Sequence, residues 1–322
     1  MRFVCSEELT IFVRTFSSSA IDQWIHNRTK EKDLYWKESM LWSESSSRIN
    51  LDTSKTKVVE VMDREGCVFD IMKNSLTLGH DFLIRAKRNK FIRNPLRHQI
   101  FDAASKVQVA GYKTIDVQKS GKQKKRKAKL EIKYMDIEIP GPPGRKDKAL
   151  QCHLVQAIEI NPPENQEPLS WYLLTSVKVN SFDEAIKIIK WYQYRWIIEE
   201  YHKCIKTGCN VQKKQLKESF RLENYLGIAS IIAVKLLQIR DLVRVMPDEL
   251  ASKVIDKLSL KVIQGYHKTK KDLTVKEYYI LIAKMGGFLD RKSDGDPGWQ
   301  TLWKGQIQLY WMIEGARSVL GV

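Results

Sequence analysis

Beyond about Val107 the apolar residues of this chain change period at Ser181, and that change limits the folds open to it. From about Val107 to Leu174, alternating stretches span Tyr112 to Val117, Leu130 to Ile139 and Val155 to Ile160, followed by the apolar run Trp171 to Leu174. A two-residue repeat predicts strands, and Pro140-Gly-Pro-Pro-Gly and Asn161-Pro-Pro supply the turns between them. After Ser181 the repeat becomes helical: Ser181 is an N-cap, Asp183 and Glu184 sit in the first turn, and the pattern runs to Lys206 before Gly208 stops it. A second helix is predicted over about Arg221 to Val245. The remainder continues in helices broken by Gly286-Gly287 and Asp294-Gly-Asp-Pro-Gly.

Ahead of the strand-rich section, Val58, Val59, Val61 and Met62 predict a short strand that ends at Asp63, followed by Arg64-Glu65-Gly66 and a helical stretch to Asn74. A carboxylate at the C-terminal end of a buried strand is where open α/β sheets place their sites. The next strand, Phe82 to Ala86, leads into Arg85, Lys87, Arg88, Lys90, Arg93 and Arg97 with no acidic residue among them. The first 50 or so residues mix Ser-rich and charged segments and do not read as a domain.

The charge balance narrows the partner. Lys and Arg number 55 against 38 Asp and Glu, a formal +17, which points to a polyanion such as nucleic acid or an anionic membrane surface. At 43% hydrophobic and 10% aromatic, the composition excludes disorder as the default. No apolar run approaches the roughly 20 residues of a bilayer span, so no membrane role is expected. Glu7 and Glu8 beside the apolar patch of the N-terminus argue against a signal peptide, so a cytoplasmic location is expected. Five cysteines form no CxxC, and Cys204, Cys209 and His202 match no usual zinc spacing, so the cysteines read as ordinary thiols. Lys119 to Lys129 holds seven basic residues and no acid, either a solvated hairpin tip or a phosphate-facing arm.

Tyr192, Arg195, Glu199 and Lys206 follow at intervals of three, four and seven on the helix after Ser181. On an unbroken α-helix they fall within roughly 60° of arc, an acid flanked by cations and a phenol. A metal held by the acid, with phosphates held by the cations, is what metal-assisted phosphoryl transfer on a nucleic-acid backbone requires. From spacing alone, a routine i,i+4 pair between Arg195 and Glu199 on an amphipathic helix is the more ordinary reading.

The segment Tyr192-Gln-Tyr-Arg195-Trp-Ile-Ile-Glu199-Glu-Tyr-His-Lys-Cys-Ile-Lys206 resembles the Y-x-x-R-x-x-x-E-x-x-x-x-x-x-K signature of bacterial cut-and-paste DDE transposases of the insertion-sequence-four family. Supporting stretches are Met62 to Gly66, Phe82 to Lys87, Ile160 to Pro163, Pro168 to Ser176, Gly286 to Asp290 and Trp299 to Trp303. The resemblance runs from about Ala20 to the C-terminus. It implies an α/β fold: an RNase H-like catalytic core with a β-rich insertion, followed by an α-helical C-terminal dimerisation region. The expected divisions are 1–19 unmatched, 20–245 partial core with the insertion at about 88–175, and 246–322 dimerisation.

The resemblance further implies DNA cleavage and strand transfer at transposon ends by three carboxylates and two divalent ions, Mg or Mn. Asp63 is similar to the second acid and Glu199 to the third, so both would be catalytic and metal-binding. Tyr192, Arg195 and Lys206 would grip phosphates, Arg85 and Lys87 match basic positions at the DNA, and Trp171 and Trp196 match aromatics that handle a flipped base. The plainer alternative for either Trp, and for Trp171 inside its apolar strand in particular, is a core residue.

The family's first catalytic Asp has no counterpart among Asp22, Asp33 and Asp52, the three Asp residues ahead of Asp63. The chain is therefore expected to be N-terminally truncated, with an incomplete two-metal site, little or no strand transfer of its own and an exposed sheet edge where a core strand is missing. Expected partners are transposon ends and target DNA, with association to the nucleoid when bound, and a homodimer or a heterodimer with a full-length transposase. An inhibitor acting through such heterodimers, or a generic basic nucleic-acid-binding protein, are the alternatives.

Overall fold

The computed structural model describes residues 2–6, 9–14, 38–49, 51–90, 92–93, 99–117, 126–211, 216 and 218–320. They divide into two compact units, one reaching Ile198 and the other beginning at Glu199. Asp22, Asp33 and most of the Lys119 to Lys129 run lie outside the described residues.

The first unit is built on one eight-stranded sheet. Its strands are β1 (Arg2–Ser6), β2 (Leu9–Arg14), β3 (Lys57–Met62), β4 (Asp81–Arg85), β5 (Gly111–Val117), β6 (Arg126–Ile139), β7 (Leu150–Glu159) and β8 (Ser170–Thr175), in the order β1-β2-β3-β4-β8-β7-β6-β5. Its helices among the described residues are α1 (Glu38–Ser47), α2 (Phe69–Thr77), α3 (Ile100–Ser105) and α4 (Phe182–Gln193). β3 and β4 pair in parallel, and both read as solid apolar runs because parallel strands are covered on both faces. Val58, Val59, Val61, Met62, Phe82, Leu83 and Ile84 are all buried. β5 to β8 form an antiparallel meander whose alternation is visible in the sequence.

One polar side chain interrupts the β3 run. Glu60 is wholly buried, and its carboxylate meets His80 Nδ1 at 2.7 Å and accepts from Ser46 Oγ at 2.6 Å. Both oxygens are thereby satisfied, which is what allows a carboxylate to stay inside a sheet.

Two expectations change here. The sheet edge beside β3 is paired rather than bare: β2 runs parallel to β3, with Leu9 opposite Lys57 and Arg14 opposite Met62. The stretch Leu9-Thr-Ile-Phe-Val is rich in β-branched and aromatic residues, and pairing satisfies backbone groups that an open edge would leave unmet. The single helix expected from Ser181 to Lys206 is broken. α4 ends at Gln193, and the Tyr194 and Arg195 amides donate three residues back, to the carbonyls of Trp191 and Tyr192. α5 (Trp196–Lys203) follows and passes into a π-turn, Cys204–Gly208. These three-residue bonds are a 3-10 pattern, which closes the α4 ladder although the apolar repeat runs on. A count at 100° per residue therefore does not carry from Tyr192 to Lys206.

The second unit is helical: α6 (Ser219–Val245), α7 (Lys257–Tyr266), α8 (Val275–Met285) and α9 (Trp299–Leu320). Ala251, Ile263, Leu273, Tyr278, Ile282, Met285, Leu309 and Ile313 form its core. α8 starts at a capping box between Thr274 and Glu277. α8 and α9 meet at glycines: a Cβ on Gly286 would lie 1.8 Å from Thr301 O, and one on Gly305 1.8 Å from Ile282 O.

Candidate active site

Three chain segments of the first unit converge where β3 and β4 end. Asp63 follows β3 directly, and its Oδ1 accepts from the Glu65 amide at 2.9 Å, capping a short 3-10 turn. Arg85 closes β4, and its Nη2 donates to the Ser170 carbonyl at 2.7 Å. α4, started by a capping box between Ser181 and Glu184, brings Tyr192 to the same place in its last turn.

Tyr192 is the hub. Its ring is buried and meets Trp171 edge-on, centroids 5.5 Å apart at 66°. The Arg195 guanidinium lies 5.9 Å from the same ring. The phenol shares hydrogen bonds with Arg85 and Arg195 and feels the Asp63 charge. Burial pushes the Tyr192 hydroxyl up, against the pull of Arg195 and Arg85, so it remains a proton donor at neutral pH. Burial also lowers the Arg85 guanidinium, which nonetheless stays charged.

These residues line a cleft of ≈ 750 Å³ that includes Arg85, Trp171, Tyr192, Arg195 and Trp196 and is walled by Lys113 to Val117 of β5. With Lys190, the lining carries four cations, Arg85, Lys113, Lys190 and Arg195, against one acid, Asp116. Such a surface, floored by aromatic rings, suits an anionic chain that also presents flat bases.

Five of the residues expected at a DNA site, Arg85, Trp171, Tyr192, Arg195 and Trp196, are thus gathered, with Asp63 acting on Tyr192. Lys87 is exposed just beyond β4 and does not line the cleft. Glu199, on α5, and Lys206, in the π-turn, are half-buried and belong to the second unit. Lys113 and Lys190 are cleft residues that sequence reasoning missed. Alternation gives Lys113 a face in β5, but nothing local says which helix that face meets. Among the described residues no three His, Cys, Asp or Glu side chains are gathered as a metal site. Cys204 and Cys209 hydrogen-bond each other, and that bond together with burial pushes the Cys209 thiol up. Both behave as buried structural thiols.

Residues 48–235, more than half of the chain, match the transposase DDE domain. The chain belongs to the DDE transposases. Residues 231–321 match the transposase Tn5 dimerisation domain, so this transposase carries an RNase H-like core and the family's dimerisation module. Asp63, Glu199, Lys206 and every cleft residue of the DDE transposase fall within the first match. The second covers α7, α8, α9 and the later part of α6.

Proposed function

We propose that this transposase binds DNA along the cleft around Tyr192 and that Asp63 and Glu199 are the second and third acids of its DDE set. The observation that supports this most is the convergence of Arg85, Tyr192, Arg195 and Trp171 beside Asp63, since a phosphate grip, a proton donor and a stacking surface meet at one carboxylate. Arg85, Arg195 and Lys206 neutralise phosphates, with Lys87 adding a contact at the rim. Tyr192 donates a hydrogen bond, and Trp171 and Trp196 offer faces to an unstacked base.

The donor chemistry fits a hard divalent ion. Carboxylate oxygens suit Mg or Mn, and Asp63 Oδ1 accepts from the Glu65 amide at 2.9 Å. Bound there, such ions supply Lewis-acid stabilisation and a nucleophile at neutral pH for phosphodiester attack. Arg85 and Arg195 hold the anionic phosphate beside Asp63, and Tyr192 orients it through its hydroxyl.

This chain by itself is expected to bind DNA without strand transfer. Asp52 is tied into a turn, its Oδ1 accepting from the Ser54 amide at 3.0 Å. The strand paired beside β3 ends at Arg14 rather than at a carboxylate, which supports the reading of an acid set short for two ions. The dimerisation module supports a second reading, inhibition by pairing with an intact transposase.

Fluorescence anisotropy on labelled duplex and partly unpaired DNA tests the binding reading. The expected result is salt-sensitive, metal-independent binding that falls about tenfold in the Arg85→Ala/Arg195→Ala double variant, with no nicking in Mg or Mn. Unchanged affinity in the double variant sinks the cleft as the DNA site, and metal-dependent nicking lost in Asp63→Asn sinks the inactivity. Co-expression with an intact relative, followed by co-purification, tests the inhibitor reading.

A further inference from the structure

Glu200 follows Glu199 on α5, and its surroundings are built with more care than a surface residue requires. Arg240 Nη1, from α6, donates to Glu200 Oε2 at 2.6 Å, with the two side chains only 13% and 17% exposed. The Arg240 guanidinium stacks 4.5 Å from the ring centroid of Trp299, the first residue of α9. Trp299 also hydrogen-bonds Glu200. Three helices of the second unit therefore meet at one carboxylate, which accepts from a guanidinium and an indole that are themselves stacked.

The arrangement is costly as a source of stability. Arg240 Nε is buried without a hydrogen-bond partner, and a buried ion pair of this kind contributes little net stability compared with an apolar cluster of the same size. What it supplies is orientation. Consecutive residues of a helix share one backbone, so a fixed Glu200 sets the rotation of α5 and with it the direction of Glu199. The far end of the same segment rests on the same helix: a Cβ on Gly208 would lie 3.4 Å from Trp299 O and 3.6 Å from Trp303 Cβ. The turn that carries Lys206 is thus held at α9 as well.

We propose that Arg240 and Trp299 are positioning residues that aim Glu199 through Glu200, making the acid's alignment depend on the first turn of α9 in the dimerisation module. The proposal rests on Glu199 being a metal ligand of this transposase.

The test is Mn²⁺ affinity, read by electron paramagnetic resonance on the full chain, for the wild type, Glu199→Gln, Arg240→Met and Arg240→Lys, with melting temperature and helical circular dichroism recorded alongside. The expected result is binding that Glu199→Gln abolishes, that Arg240→Met weakens about tenfold, and that Arg240→Lys partly restores, as for residues that orient a ligand. Should Arg240→Met fail to fold, Trp299→Phe keeps the ring and removes the indole donor, and it is expected to weaken Mn²⁺ binding several-fold. Folded Arg240→Met with wild-type Mn²⁺ affinity overturns the positioning role alone. Wild-type affinity equal to that of Glu199→Gln overturns the metal-ligand reading and the positioning role with it.

Discussion

Replacing Gly305 with alanine sets two effects against each other in the middle of α9. Helix propensity favours the change by about 1 kcal/mol, since alanine loses less backbone entropy than glycine. Packing opposes it. The new Cβ would lie 1.8 Å from Ile282 O, where ordinary contact begins at 3.4 Å, and the obstacle is backbone rather than the end of a flexible side chain. Helices α8 and α9 must separate by about 1.6 Å or tilt, and a gap of even 0.5–1 Å forfeits a quarter to a half of the dispersion attraction across the opened surface. That surface is the core around Ile282, Met285, Leu309 and Ile313. Overpacking alone costs roughly 1–3 kcal/mol, and with the opened core the net loss is about 2–3 kcal/mol after the propensity gain. At roughly 3–5 °C per kcal/mol for a unit of this size, the melting temperature of the helical unit falls by about 6–15 °C. Gly315 is the control, because it lies in the same helix and nothing stands within 4 Å of its Cβ position. Gly315→Ala is expected to gain up to about 1 kcal/mol and raise the transition by a few degrees. Scanning calorimetry at one fixed protein concentration reads both, since dimerisation makes the transition concentration-dependent. A Gly305→Ala protein that melts at or above the wild type, as Gly315→Ala does, refutes the close crossing.

Three further outcomes follow from single contacts. His80→Ala strips the buried Glu60 carboxylate of its 2.7 Å partner and is expected to cost about 3–5 kcal/mol in urea unfolding, as for other broken buried pairs; a loss under about 1 kcal/mol removes that pair from the account of the core. The hydrogen bonds and charge of Arg126 hold the Glu159 carboxyl below its ordinary 4.5. A folded-state value depressed in this way contributes stability above about pH 4.5 that is lost as pH falls through the folded value, so Glu159→Gln is expected to be less stable at neutral pH and to flatten the acid limb of the stability curve, and an unchanged acid limb contradicts it. Tyr192→Phe keeps the ring against Trp171 but removes the hydroxyl shared with Arg85 and Arg195, so DNA affinity is expected to drop several-fold with little change in melting temperature, whereas equal affinity in anisotropy argues that the hydroxyl only packs.

Local order in this chain was legible from one-dimensional pattern. The β3 run ending at Asp63, the alternation of β5 to β7, the Ser181 cap and the glycine breaks between the last helices all appear in the structure near their expected places, because each depends on neighbours within a few residues. The signature from Tyr192 to Lys206 also holds Tyr192, Arg195 and Trp196, which line the cleft. Its geometry was less accessible. A uniform helical repeat put Tyr192, Arg195, Glu199 and Lys206 on one face, yet the bonding turns to a 3-10 pattern at Tyr194 and Arg195 and a π-turn follows at Cys204.

Contacts between distant segments had no signal at all in the pattern. β2 pairing beside β3, Lys113 facing the cleft, Ser46 and His80 closing on Glu60, and Arg240 reaching Glu200 each join residues that no periodicity relates. Sequence by itself determined most of the strands and helices after about Lys57 and which charged and aromatic residues are available to chemistry, since propensity, capping and period act locally. Only the tertiary structure decided which of those residues meet, because side chains far apart in the chain are brought together by burial of apolar faces, and that burial can bend or break the local repeat on which a sequence argument relies.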